Sequence, residues 1–534
     1  MDLFNTKKIS SLNTELTEVK EQLTKAVSAF ANINPYHTFS PIIRLPYTGE
    51  KTPGEMGAAI DYALQYNYLR VRSWEAYLRS EIAQSIINKF SLWVIGSGLK
   101  VQPEPVKDVL KQEGINLSDE NFVKQIESRF NLFTSSRYSD YARMSSVDNI
   151  AFEAYKNAII GGDVLVILRV VNNLLTAQIV DGSHISTPIM NDSIIAAAKQ
   201  AGNRIEYGVE ISPSGEHVSY CVCDDEGKYQ RVMRYGESSG RLMAFMVYGT
   251  KYRIDNVRGL PLLSAVLETL KKLDRYKEAT VGSAEERQKI AYSIEHSADS
   301  TGENPLLAKL AQSNALGMGE APESKSVSDY EAASTKVATT TNKMAFNMPI
   351  GATLKLLESK NELYFKDFYS TNQQILCASV GIPYEVAMSM FNSNYSASRA
   401  AIKDWEHSMK TSREKFSVQF YQNYYNLWFE VEVLNGKIKA DGFLKALMDN
   451  NIMAIEAYRN ARWLGVNVPH IDPVKEVQAE RLKLGDDTTP LTTYDQASES
   501  LGSGDFSQNM EKVKVEKKLI PPIPITETKI IPTK

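Results

Sequence analysis

Between Leu262 and about His296 the chain runs without a proline, and Leu263, Val266, Leu270 and Leu273 recur at spacings of three and four. That is the period of one face of an α-helix. At about 1.5 Å per residue such a helix is roughly 50 Å long, far beyond the ordinary globular helix of about 11–12 residues. A rod of this length does not fit inside one compact core. Its second half, with Lys277, Glu278, Glu285, Glu286, Arg287 and Lys289, mixes both signs of charge and must face water or polar neighbours. The 534 residues point the same way. Single cores stop growing near about 250–300 residues, so several domains or an extended shape are expected.

Other helical patterns frame this rod. Ile60, Leu64, Val71, Leu78, Ile82, Ile86 and Phe90 predict one helix from Met56 to Trp93, ended by Gly96-Ser97-Gly98; Arg70, Arg72 and Arg79 on it read as a solvated or salt-bridged face. A helix from about Asn361 to Val380 stops at Gly381-Ile382-Pro383. A long helix then starts with Ser396 or Ser398 as N-cap, carries Ile402, Trp405, Met409, Phe416, Phe420, Tyr424, Leu427 and Val431 on one stripe, and ends at Asn435-Gly436. Residues 440–484 read as helical again. Between 150 and 257 short β-branched or aromatic runs bounded by Gly, Asn, Asp and Ser predict a mixed domain around an antiparallel sheet. Residues 8–30 form a polar helical pattern, followed by a proline-broken arm to about residue 53 that needs a partner surface. Residues 297–352 lose periodicity and predict a small irregular excursion, and the tail from 486 is expected to be extended or disordered.

Composition excludes several function classes. A 43% apolar and 23% charged chain buries a core, and a formal charge of −4 lacks the basic surplus of a tight nucleic-acid binder. Cys221, Cys223 and Cys377 cannot by themselves form a disulfide framework or a four-ligand zinc site, which suits a reducing compartment. Cys221 and Cys223 share one face of a strand as two small half-buried residues. No signal-peptide pattern opens the chain, and nowhere do about 18 uncharged apolar residues run together, so no membrane span is expected. No phosphate loop, dinucleotide fingerprint or serine elbow occurs. The histidines at 37, 184, 217, 296, 407 and 470 are scattered without ligand spacing, so neither catalytic residues, cofactor nor metal are expected. Asp163, Asp181 and Asp472 read as turn or capping residues before they read as acids or ligands.

Four strings, in order, resemble the lambda-type portal proteins of tailed bacteriophages. Leu69-Arg70-Val71-Arg72-Ser73-Trp74, with Arg79 and Val94-Ile95-Gly96-Ser97-Gly98-Leu99, is similar to the family's arginine-bearing helix and its end. Gly208-Val209-Glu210 with Gly215 and Tyr220, followed by Arg258-Gly259-Leu260-Pro261-Leu262-Leu263, resembles a strand pair and the R-G-x-P-x-L start of a helix. Gly381-Ile382-Pro383-Tyr384-Glu385 followed by Asn394-Tyr395-Ser396-Ala397-Ser398-Arg399-Ala400-Ala401 is the most specific match. Trp463 with Ile471-Asp472-Pro473-Val474-Lys475-Glu476 and Ala479 completes the set. Ser80 stands where the family has Asn, and the arm and tail are unmatched.

The resemblance implies an α+β, mainly α, portal fold with wing, stem, clip and crown. Mapped on this chain it gives an N-terminal arm at 1–55, the α+β part of the wing at 56–257, a first stem helix at 258–296 and a clip at 297–352. A second stem helix follows at 353–387, then a tunnel loop at 388–396, a long wing helix at 397–436, a crown at 437–485 and a flexible tail at 486–534. It further implies a non-enzymatic ring of twelve copies at one capsid vertex of the virion, assembled in the host cytoplasm. Duplex DNA passes through it weakly and non-specifically during packaging and ejection. The implied partners are the large terminase subunit, the major capsid protein and scaffold, and head-tail adaptor proteins. The implied channel residues are Met388, Met390, Phe391, Asn392, Ser393, Asn394 and Tyr395; Arg399, Lys403, Lys410, Lys277 and Arg287 would meet DNA or, preferably, carboxylates of a neighbouring subunit. Trp405, Phe416, Phe420 and Trp428 are expected mostly in the subunit's own core. The competing classes are a DNA-processing motor or nuclease, against which the missing phosphate loop speaks, and a ring-forming membrane pore, which would need an alternating apolar hairpin that 297–352 lacks.

Overall fold

The computed structural model describes residues 66–117, 121–188, 193–252, 256–289, 293–296, 352–355, 365–390, 395–465, 473–485, 489–502, 504 and 506–519. The N-terminal arm, nearly all of the 297–352 excursion and the last fifteen positions of the tail lie outside them. The chain divides into two units, 1–271 with 373–534, and 272–372.

The first unit opens with α1 (Tyr66–Arg79) and α2 (Glu81–Val94). One continuous helix was expected here. Instead Ser80 takes an extended backbone (φ −94°, ψ 120°) as the N-cap position of α2. The break lets each half bury its own face: Leu69, Arg70 and Ser73 in α1, and Ile82, Ile86, Ile87, Phe90 and Val94 in α2. Val71 and Leu78, counted in the apolar stripe, are exposed. After β1 (Lys100–Pro103) and α3 (Lys107–Gln112), α4 (Phe122–Thr134) buries Phe122, Ile126 and Phe130, and α5 (Val147–Gly161) starts at Ser146, whose hydroxyl accepts from Asn149 N.

The β-rich stretch forms antiparallel strands, as its short β-branched and aromatic runs predict. β2 (Asp163–Val171), β3 (Leu174–Asp181) and, after α6 (Ser193–Gln200), the strands β4 (Arg204–Glu206), β5 (Val209–Ile211), β6 (His217–Cys223), β7 (Tyr229–Met233) and β8 (Ala244–Tyr248) form two antiparallel sheets. Their orders are β3-β2-β8 and β4-β5-β6-β7. In the first, Asp163 pairs with Tyr248 and Val164 with Asp181. An Ile185–Val222 bridge links the second sheet to the segment that follows β3. Leu165, Ile167, Val209, Ile211, Tyr220, Ala244 and Met246 form the shared core. Side chains alternate along β2, so Val164, Val166 and Leu168 take the opposite face, which α5 covers. Within β6, Cys221 is fully buried and Cys223 half-buried.

The proline-free rod is shorter than its pattern. A 3₁₀ turn at Ser264–Val266 leads into α7 (Leu267–Lys289), and Ser293–His296 is not helix but strand β9, paired antiparallel with β10 (Ala352–Lys355). The β-branched and aromatic Tyr292-Ser293-Ile294 run suits a strand, and helical spacing alone does not mark where a rod ends. In the second unit Tyr276 stacks on Phe365 at 5.4 Å and meets Phe368 edge-on at 5.0 Å, joining α7 to α8 (Phe365–Val380).

The first unit resumes with α9 (Tyr384–Met388), then α10 (Tyr395–Phe416), a π-helical segment Ser417–Gln422 and α11 (Asn423–Leu434), ending at Asn435-Gly436 as expected. This helix holds the aromatic core. Trp405, Phe416, Phe420, Tyr421, Tyr424, Tyr425 and Trp428 are all buried, each contributing on the order of 2–3 kcal/mol by area. The π segment uses its side chains as fasteners: Gln419 Oε1 accepts from Tyr248 N at 3.2 Å, Gln422 Nε2 donates to Arg459 O at 3.0 Å, and Trp463 Nε1 donates to Gln422 Oε1 at 3.0 Å.

The 440–484 region is only partly helical. After α12 (Phe443–Met448) and α13 (Ile452–Arg459), β11 (Ala461–Leu464) pairs with β1, Lys100 opposite Leu464. A four-residue strand has too little pattern to stand out in sequence. α14 (Pro473–Leu484) follows. The expected extended tail is corrected at α15 (Tyr494–Ser500) and α16 (Phe506–Leu519). The signal for the first was the capping box formed by Thr493 and Gln496.

Candidate functional site

The most specific sequence string surrounds the turn between α9 and α10. Gly381 takes φ +82°, which glycine adopts without a Cβ penalty, and Pro383 at the N-cap position starts α9. Val386 and Ala387 anchor α9 in the core, and Ser85 of α2 donates its hydroxyl to the Ala387 carbonyl. Ser389 ends the helix in the left-handed region (φ +55°) and turns the chain outward. Met388 is half-buried and Met390 is 49% exposed, with the Tyr384 hydroxyl 4.0 Å from its sulfur. Phe391, Asn392, Ser393 and Asn394 lie outside the described residues. Tyr395 and Ser396 are already the first turn of α10, so the loop is shorter at that end than 388–396.

Along α10, Lys403 Nζ lies 3.0 Å and Lys410 Nζ 3.3 Å from the carboxylate of Glu406. Burial alone would raise the Glu406 carboxyl, but the Lys403 hydrogen bond and the two ammonium charges outweigh it and hold the group below its ordinary value. Within one chain, therefore, both lysines already lean on a carboxylate of their own helix. Arg399 also belongs to α10, and Lys277 and Arg287 to α7. Trp405, Phe416, Phe420 and Trp428 face the core of their own subunit.

A second constellation was not legible in the sequence. Asp163, read as a turn or capping residue, is the fully buried first residue of β2. Its Oδ1 accepts from Arg70 Nη2 at 2.5 Å and Arg258 Nη2 at 2.7 Å; its Oδ2 accepts from Arg258 Nε at 2.6 Å and Gly259 N at 2.9 Å. Arg258 also donates to the carbonyls of Gly182, Ile185 and Tyr207 at 2.6–2.9 Å. Burial would raise the Asp163 carboxyl, but Arg258 and Arg70 hold it below the usual range. Burial lowers Arg70, which the Asp163 charge only partly offsets. Arg70 was expected on a solvated or salt-bridged face; it is salt-bridged but internal, while Arg72 and Arg79 pair with Glu75 at the surface. Gly259 is required beside this hub, because a Cβ there would drive into the Gly162 carbonyl. The R-G string at 258–259 thus fixes the strand-to-helix crossover in place. Asp181 does cap, accepting from Ser183 N at 2.7 Å, and Asp472 lies outside the described residues.

The other matched string is also structural. Gly208 (φ +83°) approaches the Ser186 backbone too closely for a Cβ, and buried Glu210 accepts from Asn203 and Arg231 at 2.7–2.8 Å and from Ser219. Among the described residues no group of three His, Cys, Asp or Glu is placed to hold a metal ion, and no helix is long and apolar enough to cross a membrane.

Buried charge in this fold ties distant elements of a helix-rich α+β scaffold together. The family model described as phage portal protein, lambda family, matches residues 48–413. The chain belongs to that family, whose members are structural proteins of bacteriophage virions. No curated protein matches. Solved structures similar to this chain include the neck of an empty GTA particle, with 10% identity, 80% of this chain and 93% of that chain covered, and TM-score 0.37. They also include the neck of a native GTA particle (11%, 74% and 98%, TM-score 0.33) and the virion of a native gene transfer agent particle (11%, 74% and 98%, TM-score 0.35).

Proposed function

We propose that twelve copies of this chain form a ring at one capsid vertex and that duplex DNA passes through it during packaging and ejection. The family match over 48–413 carries this reading. In it, α7 and α8 serve as stem helices, 297–352 as the clip, the 388–396 segment as the tunnel loop, the helix at 397–436 as the wing helix and 437–485 as the crown. The clip receives the large terminase subunit, whose ATPase supplies the energy, and later the head-tail adaptors. The major capsid protein and scaffold surround the ring as it assembles in the host cytoplasm.

Physical chemistry supports a conduit over a grip. B-DNA presents a phosphate charge every ~1.7 Å of axis, so tight contacts would have to break at every step of transport. Met388 to Tyr395 carries no charge and offers flexible Met and amide side chains. Lys403 and Lys410, the nearest lysines after it, share the one carboxylate of Glu406, which offsets part of their charge.

Negative-stain microscopy of the purified protein tests the ring. Particles with a central hole wide enough for a duplex are expected, and monomers alone at high concentration and varied salt would overturn it. Deleting Met390–Asn394 is expected to leave rings intact and lower packaging yield; an unchanged yield removes the loop assignment. ATP hydrolysis by the purified chain alone would favour a motor instead.

A further inference from the structure

Where β6 begins and β7 and β8 end, three nitrogen-bearing side chains converge. His217 opens β6, Arg234 follows β7 and Lys251 follows β8. Tyr248 is the wall that two of them share: its hydroxyl stands 3.5 Å from His217 Nδ1, and Lys251 Nζ lies 3.6 Å from the centre of its ring. Arg234 lies over Tyr235 with its guanidinium carbon 5.1 Å from the ring centre, and Tyr220 meets His217 edge-on at 6.0 Å.

The three share one peculiarity. Arg231, Arg241 and Arg459, in the same unit, each hold a buried glutamate. Among the described residues Arg234, Lys251 and His217 have no carboxylate partner, and the buried Nε of Arg234 has no hydrogen-bond partner. The acid whose charge reaches Lys251 is Asp163, which two guanidiniums already neutralise. Lys251 and Tyr235 are exposed, so the cluster opens to solvent on their side. Donors border this opening, and among the described residues no carboxylate pairs with them.

We propose that this cup binds a small oxyanion of the carboxylate or phosphate type, held by Arg234 and Lys251 and by the hydroxyl of Tyr248. Such an anion comes from free phosphate or from an acidic side chain of a docked polypeptide. The donor set suits both, since guanidinium and ammonium groups bind either oxyanion through charge-assisted hydrogen bonds.

The site has a built-in proton linkage. Burial, and then the charges of Lys251 and Arg234, push the His217 imidazole down to about 4, so it is neutral in the empty cup. The groups facing it are Lys251, Arg234, Tyr220 and Tyr248, with exposed Glu216 beside it in the chain; burial keeps both tyrosines protonated. A bound anion offsets the two charges and raises His217, so affinity increases as pH falls through that raised value toward about 4.

Calorimetry on the full chain at constant ionic strength, with inorganic phosphate and acetate at pH 7.5 and with sulfate from pH 7.5 to 5, tests this. Saturable binding is expected, weakened at least ~10-fold by Arg234→Gln and by Lys251→Gln. His217→Gln should still bind sulfate with a flattened pH dependence. Phosphate bound without acetate assigns the site to phosphate, and both bound assigns it to an acidic side chain. Binding no better than chloride, or equal binding by the Arg234→Gln/Lys251→Gln double variant with an unchanged circular dichroism spectrum, overturns the proposal. So does duplex DNA binding that the double variant loses while phosphate fails to saturate. None of these outcomes depends on whether the chain forms a DNA-conducting ring.

Discussion

Two carboxylate clusters hold the first unit together, and they are built in opposite ways. At Asp163 a single acid, fully buried, faces two arginines that are themselves internal. On α11, Glu430 pairs with Arg241 and Arg459, and Glu432 with Arg129 and Lys437; the acids are buried, but three of the four cations reach in from the surface. At Asp163 protein donors fill every acceptor position of the carboxylate, while Nε and Nη1 of Arg70 are buried without a hydrogen-bond partner among the described residues. On α11 water can still reach most of the cations. A closed cluster is therefore brittle and an open one forgiving, even though both use the same chemistry.

Asp163→Asn breaks the closed cluster and should show the largest effect, about 3–5 kcal/mol lost in denaturant unfolding, because two buried guanidiniums lose the carboxylate they share. The depressed Asp163 carboxyl stabilises the fold fully above its unfolded value near ~3.9, and that stability is lost as pH falls through its lower folded value. The variant's stability should accordingly fall less steeply than the parent's across that acid window. Gly259→Ala attacks the same hub by sterics alone and should cost about 2–3 kcal/mol through the clash with the Gly162 carbonyl. Glu430→Gln, in the open cluster, should cost only about 2 kcal/mol, since Arg241 can turn to water; a loss as large as that of Asp163→Asn would erase the contrast.

A third carboxylate sharpens the comparison from the other side. Asp148 accepts a hydrogen bond from Tyr421, whose oxygen in turn accepts from Leu99 N. With a hydroxyl in place of a cation, burial pushes this carboxyl up to about 6. The ionised form is disfavoured in the fold, so stability falls as pH rises from about 3.8 through 6. Asp148→Asn should gain about 1–2 kcal/mol at pH 7.5 and nothing below pH ~4, as thermal melts at both pH values would show.

The clusters also mark where sequence reading stops. The strand runs, the start of the rod near Leu262, the Gly381-Ile382-Pro383 stop and the Asn435-Gly436 stop were legible because each is a local period or a turn residue. So was the aromatic stripe of α10 and α11. Asp163 was not, because its arginines stand 93 and 95 residues away and nothing at positions 162–164 announces them. The break at Ser80 was invisible for a related reason: both halves keep helical spacing, and only the neighbours decide which face turns inward. The site turn was legible through Gly381 and Pro383, whereas the pairing of Lys403 and Lys410 with Glu406 was overlooked although their spacings of three and four are plain on a helix. The cup at His217, Arg234 and Lys251 joins three strand ends and leaves no trace in any one of them.

The pairing of β1 with β11 sets a timetable. Asn460 and Glu104, at the edge of that ladder, are 356 residues apart. At ribosomal speeds of about 5–20 residues per second, β1 waits roughly 20–70 s for its partner to be made. During that interval its edge is an open template for any other nascent strand. Many copies translated side by side would meet this hazard together.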